Sequence, residues 1–243
     1  MPQEHTEEQL HQHSTISKFQ HHLGEFVYGG IDGSVTTFAV VAGAAGASLG
    51  SAIVLILGFA NLLADGFAMS VGAYLSTKSQ QQNFEKHRNV ERWEVDNMPE
   101  AEREEVRQIY RNKGFEGALL EQVVDVICAD KERWVDVMMT DELGLMKEKK
   151  SPVAIGATTF GSFVTVGLIP LAIYVWDYLF DYSGDLWLTA CGLTSLAFIG
   201  IGYLKSIVTQ TSKLKGVFET LLLGSVAAAV AYFVGDMLEK LLG

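Results

Sequence analysis

Five stretches of this chain are each long and apolar enough to cross a lipid bilayer as a helix, and that limits what it can fold into more than any other feature. They run over 26–47, 52–75, 153–176, 186–204 and 217–238. A bilayer core about 30 Å thick needs about 20 predominantly apolar residues in helical form. Inside hydrocarbon each backbone amide and carbonyl must find its partner within the protein, which leaves helices or closed barrels. No alternating strand pattern occurs, so the spans are read as helices. Glycine recurs in all five, as expected where helices approach closely in lipid. A very short turn around 49–51 makes the first two spans a hairpin, and Pro170, in "GLIPLAIY", is expected to kink the third. The fold class is an all-α membrane protein of five transmembrane helices, with a helical soluble domain inserted between spans two and three.

This reading divides the chain into a polar N-terminal tail over 1–25, the hairpin over 26–75, the insert over 76–151 and spans three to five over 152–243. The tail lacks the basic start and small-residue cleavage site of a secretory signal. The histidines His5, His11, His13, His21, His22 and His87 are a weaker signal: His11/His13 and His21/His22 are compatible with metal, but the tail is read as a disordered polar segment. Of 18 Lys and Arg, all but Lys240 fall on one side if the N-terminus is cytoplasmic. The 205–216 loop carries Lys205, Lys213 and Lys215, whereas the opposite loop carries Asp177, Asp181 and Asp185 and no base. By the positive-inside rule the N-terminus, the insert and the 205–216 loop are expected in the cytoplasm and the C-terminus opposite. The net charge of −11 argues against nucleic acid as a partner. Cys128 and Cys191 form no motif and read as buried thiols.

Charge returns in the insert, and its pattern is helical. One helix is expected to continue from span two to Asp96–Asn97, a second to open at Pro99 and stop at Gly114, and two more to cover "EGALLEQVVDVICAD" and "ERWVDVMMTDELG". Glu91 and Glu94 are three apart, as are Glu102 and Glu105, so each pair lies on one helical face. The turn at 96–99 lets the two helices fold back and gather four carboxylates. Met138, Met139 and Glu142 stand on the last helix, with Met138 and Glu142 four apart. Clustered carboxylates raise one another's pKa unless a cation neutralises them, so oxygen and thioether ligands around a metal are one reading. A solvated face paired with Arg92, Arg103, Arg107 and Arg111 is the other. Glu104, beside the basic stripe, reads as a pairing residue.

Polar residues also occur inside the first hairpin. Asp32 lies within "YGGIDGSVTTFAVVAG", and Asn61, Asp65 and Met69 follow at four-residue spacing on span two. A charge at the bilayer centre costs at least about 2.5–3.5 kcal/mol, so its presence points to an ion or proton route. Ser34, Thr36 and Thr37 are the further polar groups of span one. Carboxylates suit hard divalent cations, and a thioether shifts preference toward transition metals. Interhelical hydrogen bonding explains Asn61 equally well, and apolar gap-filling explains Met69 taken alone.

These residues resemble a known family. "GGIDGSVTTFAVVAG", "ADGFAMSVGAYLSTKSQ", "WVDVMMTDELGL" and "GLIPLAIY", in this order of spans and insert, resemble the vacuolar iron transporter family over about 24–242. The resemblance implies a five-span metal–proton antiporter with a cytoplasmic helical metal-binding domain. It implies that Asp32 is the translocating carboxylate of span one and Met69 a ligand on span two. By the same likeness Glu91, Glu94, Glu102, Glu105, Met138, Met139 and Glu142 form the insert's metal cluster, and Glu25 is an acidic position at the cytoplasmic mouth. Plant-type members carry glutamate where this chain has Asn61, and Asp65, one turn on, stands as its substitute. The resemblance also implies a homodimer with the path at the subunit interface.

The expected function is export of a divalent transition metal, Fe2+ and also Mn2+, from the cytoplasm in exchange for protons. Partners are metal ions, protons and the bilayer, and no cofactor is expected beyond the bound or carried metal. The compact loops point to a bacterial-type cell (inner) membrane. The alternatives are a membrane-anchored metal sensor and a ferritin-like iron-binding protein without transport. A di-iron oxidase site uses Glu-x-x-His pairs, and the insert has only Glu-x-x-Glu, so the chain is not read as an enzyme.

Overall fold

The computed structural model describes the backbone of residues 7–242 and the side chains of residues 22–242. Within these the chain is helical, with no strand. The elements are α1 (Glu7–Gly46), α2 (Ser51–Asn97), α3 (Pro99–Asn112), α4 (Gly117–Cys128), α5 (Lys131–Val137), α6 (Pro152–Gly167), α7 (Ala172–Phe180), α8 (Leu186–Thr209) and α9 (Lys213–Leu242). A π turn, Met138–Glu142, prolongs α5, and a 3₁₀ turn, Ile169–Leu171, separates α6 from α7. Helix α1 thus begins inside the stretch read as a tail. The side chains of His5, His11, His13 and His21 lie outside the described residues.

Five helical segments among the described residues are long and apolar enough to cross a membrane: His22–Gly46, the apolar part of α2, Pro152–Phe180, Leu186–Thr209 and Lys213–Leu242. At 1.5 Å per residue the 47 residues of α2 far exceed a bilayer core, and only its first half is apolar. The third span breaks where Pro170 removes an amide. The chain resumes through a short 3₁₀ turn, with the Leu171 N–H reaching the Leu168 carbonyl at 3.1 Å.

The chain divides into two compact units, one formed by 1–74 and 152–243 and the other by 75–151. In the first, α1 is the central helix, packed against α6, α8 and α9. Glycines make that closeness possible. A Cβ at Gly33 would run into the Phe163 carbonyl of α6, and one at Gly46 into the Tyr232 carbonyl of α9. Phe38 stacks on Trp187 at 5.7 Å and meets Phe198 edge-on at 6.1 Å. Helix α2 lies along α6, where Gly66 faces Phe163 and the Ser70 hydroxyl donates to the Gly156 carbonyl at 2.8 Å.

The second unit has its own core. Phe84 and Val95 of α2, Val106 of α3, Leu120, Val124 and Ile127 of α4, and Trp134 and Val135 of α5 surround Met138 and Met139. Asp130 caps α5 by accepting from the Arg133 N–H at 2.8 Å. Gly114 and Gly144, both at positive φ, end the α3 and π-turn segments where a side chain would be strained.

Candidate metal centre

The turn between α2 and α3 folds the two carboxylate pairs toward each other. Glu91, Glu94 and Glu102 each offer a carboxylate oxygen within 4.8 Å of the others. Glu91 and Glu102 are each only 4% exposed, and each has one oxygen buried without a hydrogen-bond partner. Such groups are costly, because a buried acceptor loses water and gains nothing in return. Burial first, and then the charges of Glu142, Glu94 and Glu105, push Glu91 up to about 7. Glu102 is pushed up to about 7 by burial and by Glu105, Glu91, Glu94 and Glu142. Glu142 is raised by burial and by Glu105 and Glu94. Glu105 and Glu142 are exposed at the edge of the group. All five carboxylates therefore share one field.

No arginine relieves that field. Arg92 grips Glu132, Arg103 meets Asp125, and Arg107 meets Glu121 and Glu104. Lys113 pairs with Asp141 and Lys131 with Asp96. Among the described residues no lysine or arginine forms an ion pair with Glu91, Glu94, Glu102, Glu105 or Glu142. The basic stripe of α3 faces α4 instead, and Glu104 pairs as its position implied. The acids thus sort into those paired with a base and an unpaired group centred on buried Glu91 and Glu102, a donor set that a divalent cation would complete.

Met138 and Met139 are buried at 0% and 1% exposure in the core of the same unit. The π turn that carries them bonds the Leu143 N–H to the Met138 carbonyl at 3.1 Å, one residue beyond an α-helical partner. The ordinary helical spacing assumed for Met138 and Glu142 is therefore widened. Single π turns are rare in helices and gather at functional sites. The periodicity of the sequence carries no signal for this one.

The second group of polar residues lies in the membrane unit. Asn61, Asp65 and Met69 are each half-buried, forming a stripe beside the Val54, Gly58, Leu62 and Gly66 face that packs on the third span. Ile56, Leu63 and Phe67 on the other side of α2 are exposed. Asp32 on α1 is also half-buried and lies close enough to Asp65 to feel its charge. The Asn61 amide nitrogen is buried without a partner. Ser34 and Thr36 contribute less than their polarity implied, because their hydroxyls bond back to the Gly30 and Asp32 carbonyls at 2.8 and 2.9 Å. Thr37 is buried with an unpartnered hydroxyl. Glu25, near the start of the first span, is half-buried.

A sequence profile of the VIT family matches residues 23–236, taking in both groups of carboxylates. The chain belongs to the VIT family. It is similar to the vacuolar iron transporter of Toxoplasma gondii, 36% identical over 224 residues that cover 89% of this chain and 74% of the relative. It is also similar to vacuolar iron transporter 1 of Arabidopsis thaliana, at 31% identity over 88% of this chain and 85% of the relative. The vacuolar iron transporter of Plasmodium falciparum is 30% identical over 90% and 82%. As a VIT family member this chain is a multi-pass membrane protein, and its relatives are transporters rather than enzymes.

Proposed function

We propose that this VIT family member exports divalent iron from the cytoplasm, with Mn2+ as a second substrate and protons returning in exchange. The observation that carries the reading is the set of Glu91, Glu94 and Glu102 oxygens within 4.8 Å, two of the three residues buried with an unpartnered oxygen and none with a cationic partner. Such a set favours either protons or a divalent cation, and the names of the relatives supply iron. In this reading Glu105, Glu142 and the thioethers of Met138 and Met139 complete the loading site. Glu25, Asp32, Asn61, Asp65 and Met69 serve translocation. Asp65 supplies the second membrane carboxylate in place of Asn61, whose amide orients metal or water.

Proton exchange follows from two physical points. Carboxylates must lose protons to bind metal, so the same groups carry either cargo. Moving a divalent ion against a negative-inside potential costs about 2.3 kcal/mol per charge per 100 mV, which returning protons offset. We place the insert in the cytoplasm by the lysines of the 205–216 loop, and export then has the same sense across a vacuolar or a cell membrane. A homodimer fits the exposed apolar face of α2, which lipid alone would otherwise cover.

The test is flux in proteoliposomes under an imposed pH gradient. Asp32→Asn is expected to abolish Fe2+ uptake while the elution volume and helical content stay unchanged. Retained flux in that variant rejects the translocation role. Metal binding that persists with no flux in the parent protein favours the anchored sensor instead.

A further inference from the structure

We infer that Glu132 is a positioning residue that sets which divalent ions the insert prefers, by clamping the methionine-bearing turn against the carboxylate pair of α2. The inference rests on the proposed metal cluster. Glu132 touches none of the candidate ligands; it lies on α5, two turns before Met139. Arg92, directly after Glu91, holds it with two parallel bonds, Nε to Oε1 at 3.1 Å and Nη2 to Oε2 at 2.8 Å. Arg88, one turn earlier on α2, donates to the same Glu132 oxygen at 2.8 Å and to Asp136 at 3.4 Å. Two arginines and two acids thus tie α5 to the stretch of α2 that carries Glu91 and Glu94.

An isolated surface pair is worth little, but a bidentate arginine within a network of four charges holds geometry as well as energy. The geometry at stake is the π turn. It follows α5 without a break, buries Met138 and Met139, and carries Glu142, whose charge acts on Glu91. Glu91, Glu94 and Glu102 belong to α2 and α3, whose connection is a single residue, Met98, so they stay gathered when α5 loosens. The sulfur ligands depend on α5. Loss of the clamp therefore removes sulfur from the site and leaves oxygen. Ions that accept a thioether should lose affinity, while hard ions held by carboxylates should not.

The experiment is calorimetric titration of the full chain in detergent with Zn2+ and with Mn2+. The background carries His5, His11 and His13 changed to Gln, so that tail imidazoles do not compete for Zn2+. The component of interest is the one that E91Q/E102Q removes. Glu132→Gln, and independently Arg92→Gln, are expected to weaken Zn2+ in that component by about ten-fold, the low end for losing a group that orients a ligand. Mn2+ affinity should move by less than about two-fold. Glu121→Gln is the control. It breaks an equally bidentate pair, Arg107 Nε to Oε1 at 2.7 Å and Nη2 to Oε2 at 3.1 Å, which joins α3 to α4, a helix with no candidate ligand. Equal weakening of both ions, no weakening of either, or the same Zn2+ loss in Glu121→Gln overturns the clamp. If E91Q/E102Q removes no binding component, the cluster itself is rejected and the clamp with it.

Discussion

Glu91 and Glu102 withdraw carboxyl oxygens from water without giving them a donor or a cation, so their protonation becomes part of folding. An unfolded chain releases such protons near pH 4.5, and the folded one holds them to about 7. Between those values the folded state binds more protons than the unfolded, so these two groups stabilise the fold less as pH rises through the window. We expect the melting temperature of the metal-free protein, relative to that of E91Q/E102Q, to fall from pH 4.5 to 7 and then level. Saturating Mn2+ should remove the fall, because the cation takes over the protons' role. A difference that stays flat over this range without metal would show both carboxylates to be ordinary solvated acids. At this scale the sequence was a good guide to which carboxylates lie together, because three-residue spacing on a helix fixes a shared face. It was a poor guide to partners. Arg92 and Arg103 stand next to Glu91 and Glu102 in sequence, yet they reach Glu132 and Asp125, a choice set by packing between distant helices.

Helices rather than single residues hold Asp32 in place. It stands on α1 between Gly30 and Gly33, and the latter lies so near α6 that an added Cβ would meet the Phe163 carbonyl, carbonyl carbon and Cα together. Backbone cannot yield as a side-chain tip can, so Gly33→Leu is expected to push α1 off α6. Overpacking of this kind costs about 1–3 kcal/mol, read as a lower melting temperature, and iron flux should be lost along with it because Asp32 moves. Gly161→Leu on α6 makes the comparison fair. A Cβ there meets nothing within 4 Å, and both stability and flux should survive. If Gly33→Leu behaves like Gly161→Leu, the α1–α6 contact does not position the carboxylate. The helices themselves were legible from run length and from stop signals. Asp96–Asn97, Pro99 and Gly114 bound α2 and α3 where turn chemistry requires it. The π turn was not legible, since an extra residue in one turn leaves no mark on apolar spacing. Nor was the extent of the Pro170 break, where a 3₁₀ turn replaces a simple kink.

For the whole molecule the proposed export direction depends on which side each connecting loop faces. At one end α8 closes at Thr209, Gln210 takes a left-handed turn and α9 opens at Lys213, with Lys205 and Lys215 both directed at Glu219, at 2.9 and 4.0 Å. At the other, the acidic loop is committed to structure. Asp177 accepts from the Ser51 hydroxyl at 2.6 Å and the Tyr182 N–H at 3.1 Å, and Asp185 caps α8 through the Leu188 N–H at 2.9 Å. Two of the loop's three carboxylates, Asp177 and Asp185, are thus engaged in local bonding. The lysines then carry the topology argument, because short basic loops are retained in the cytoplasm. Ser183 and Ser212 are exposed, one in each loop. In a chain with Cys128 and Cys191 replaced by alanine, Ser183→Cys in intact cells should react with a membrane-impermeant maleimide. Ser212→Cys should react only after permeabilisation. The opposite pattern would put the insert outside, and the Glu91–Glu102 cluster would then collect metal on the side to which export was to deliver it.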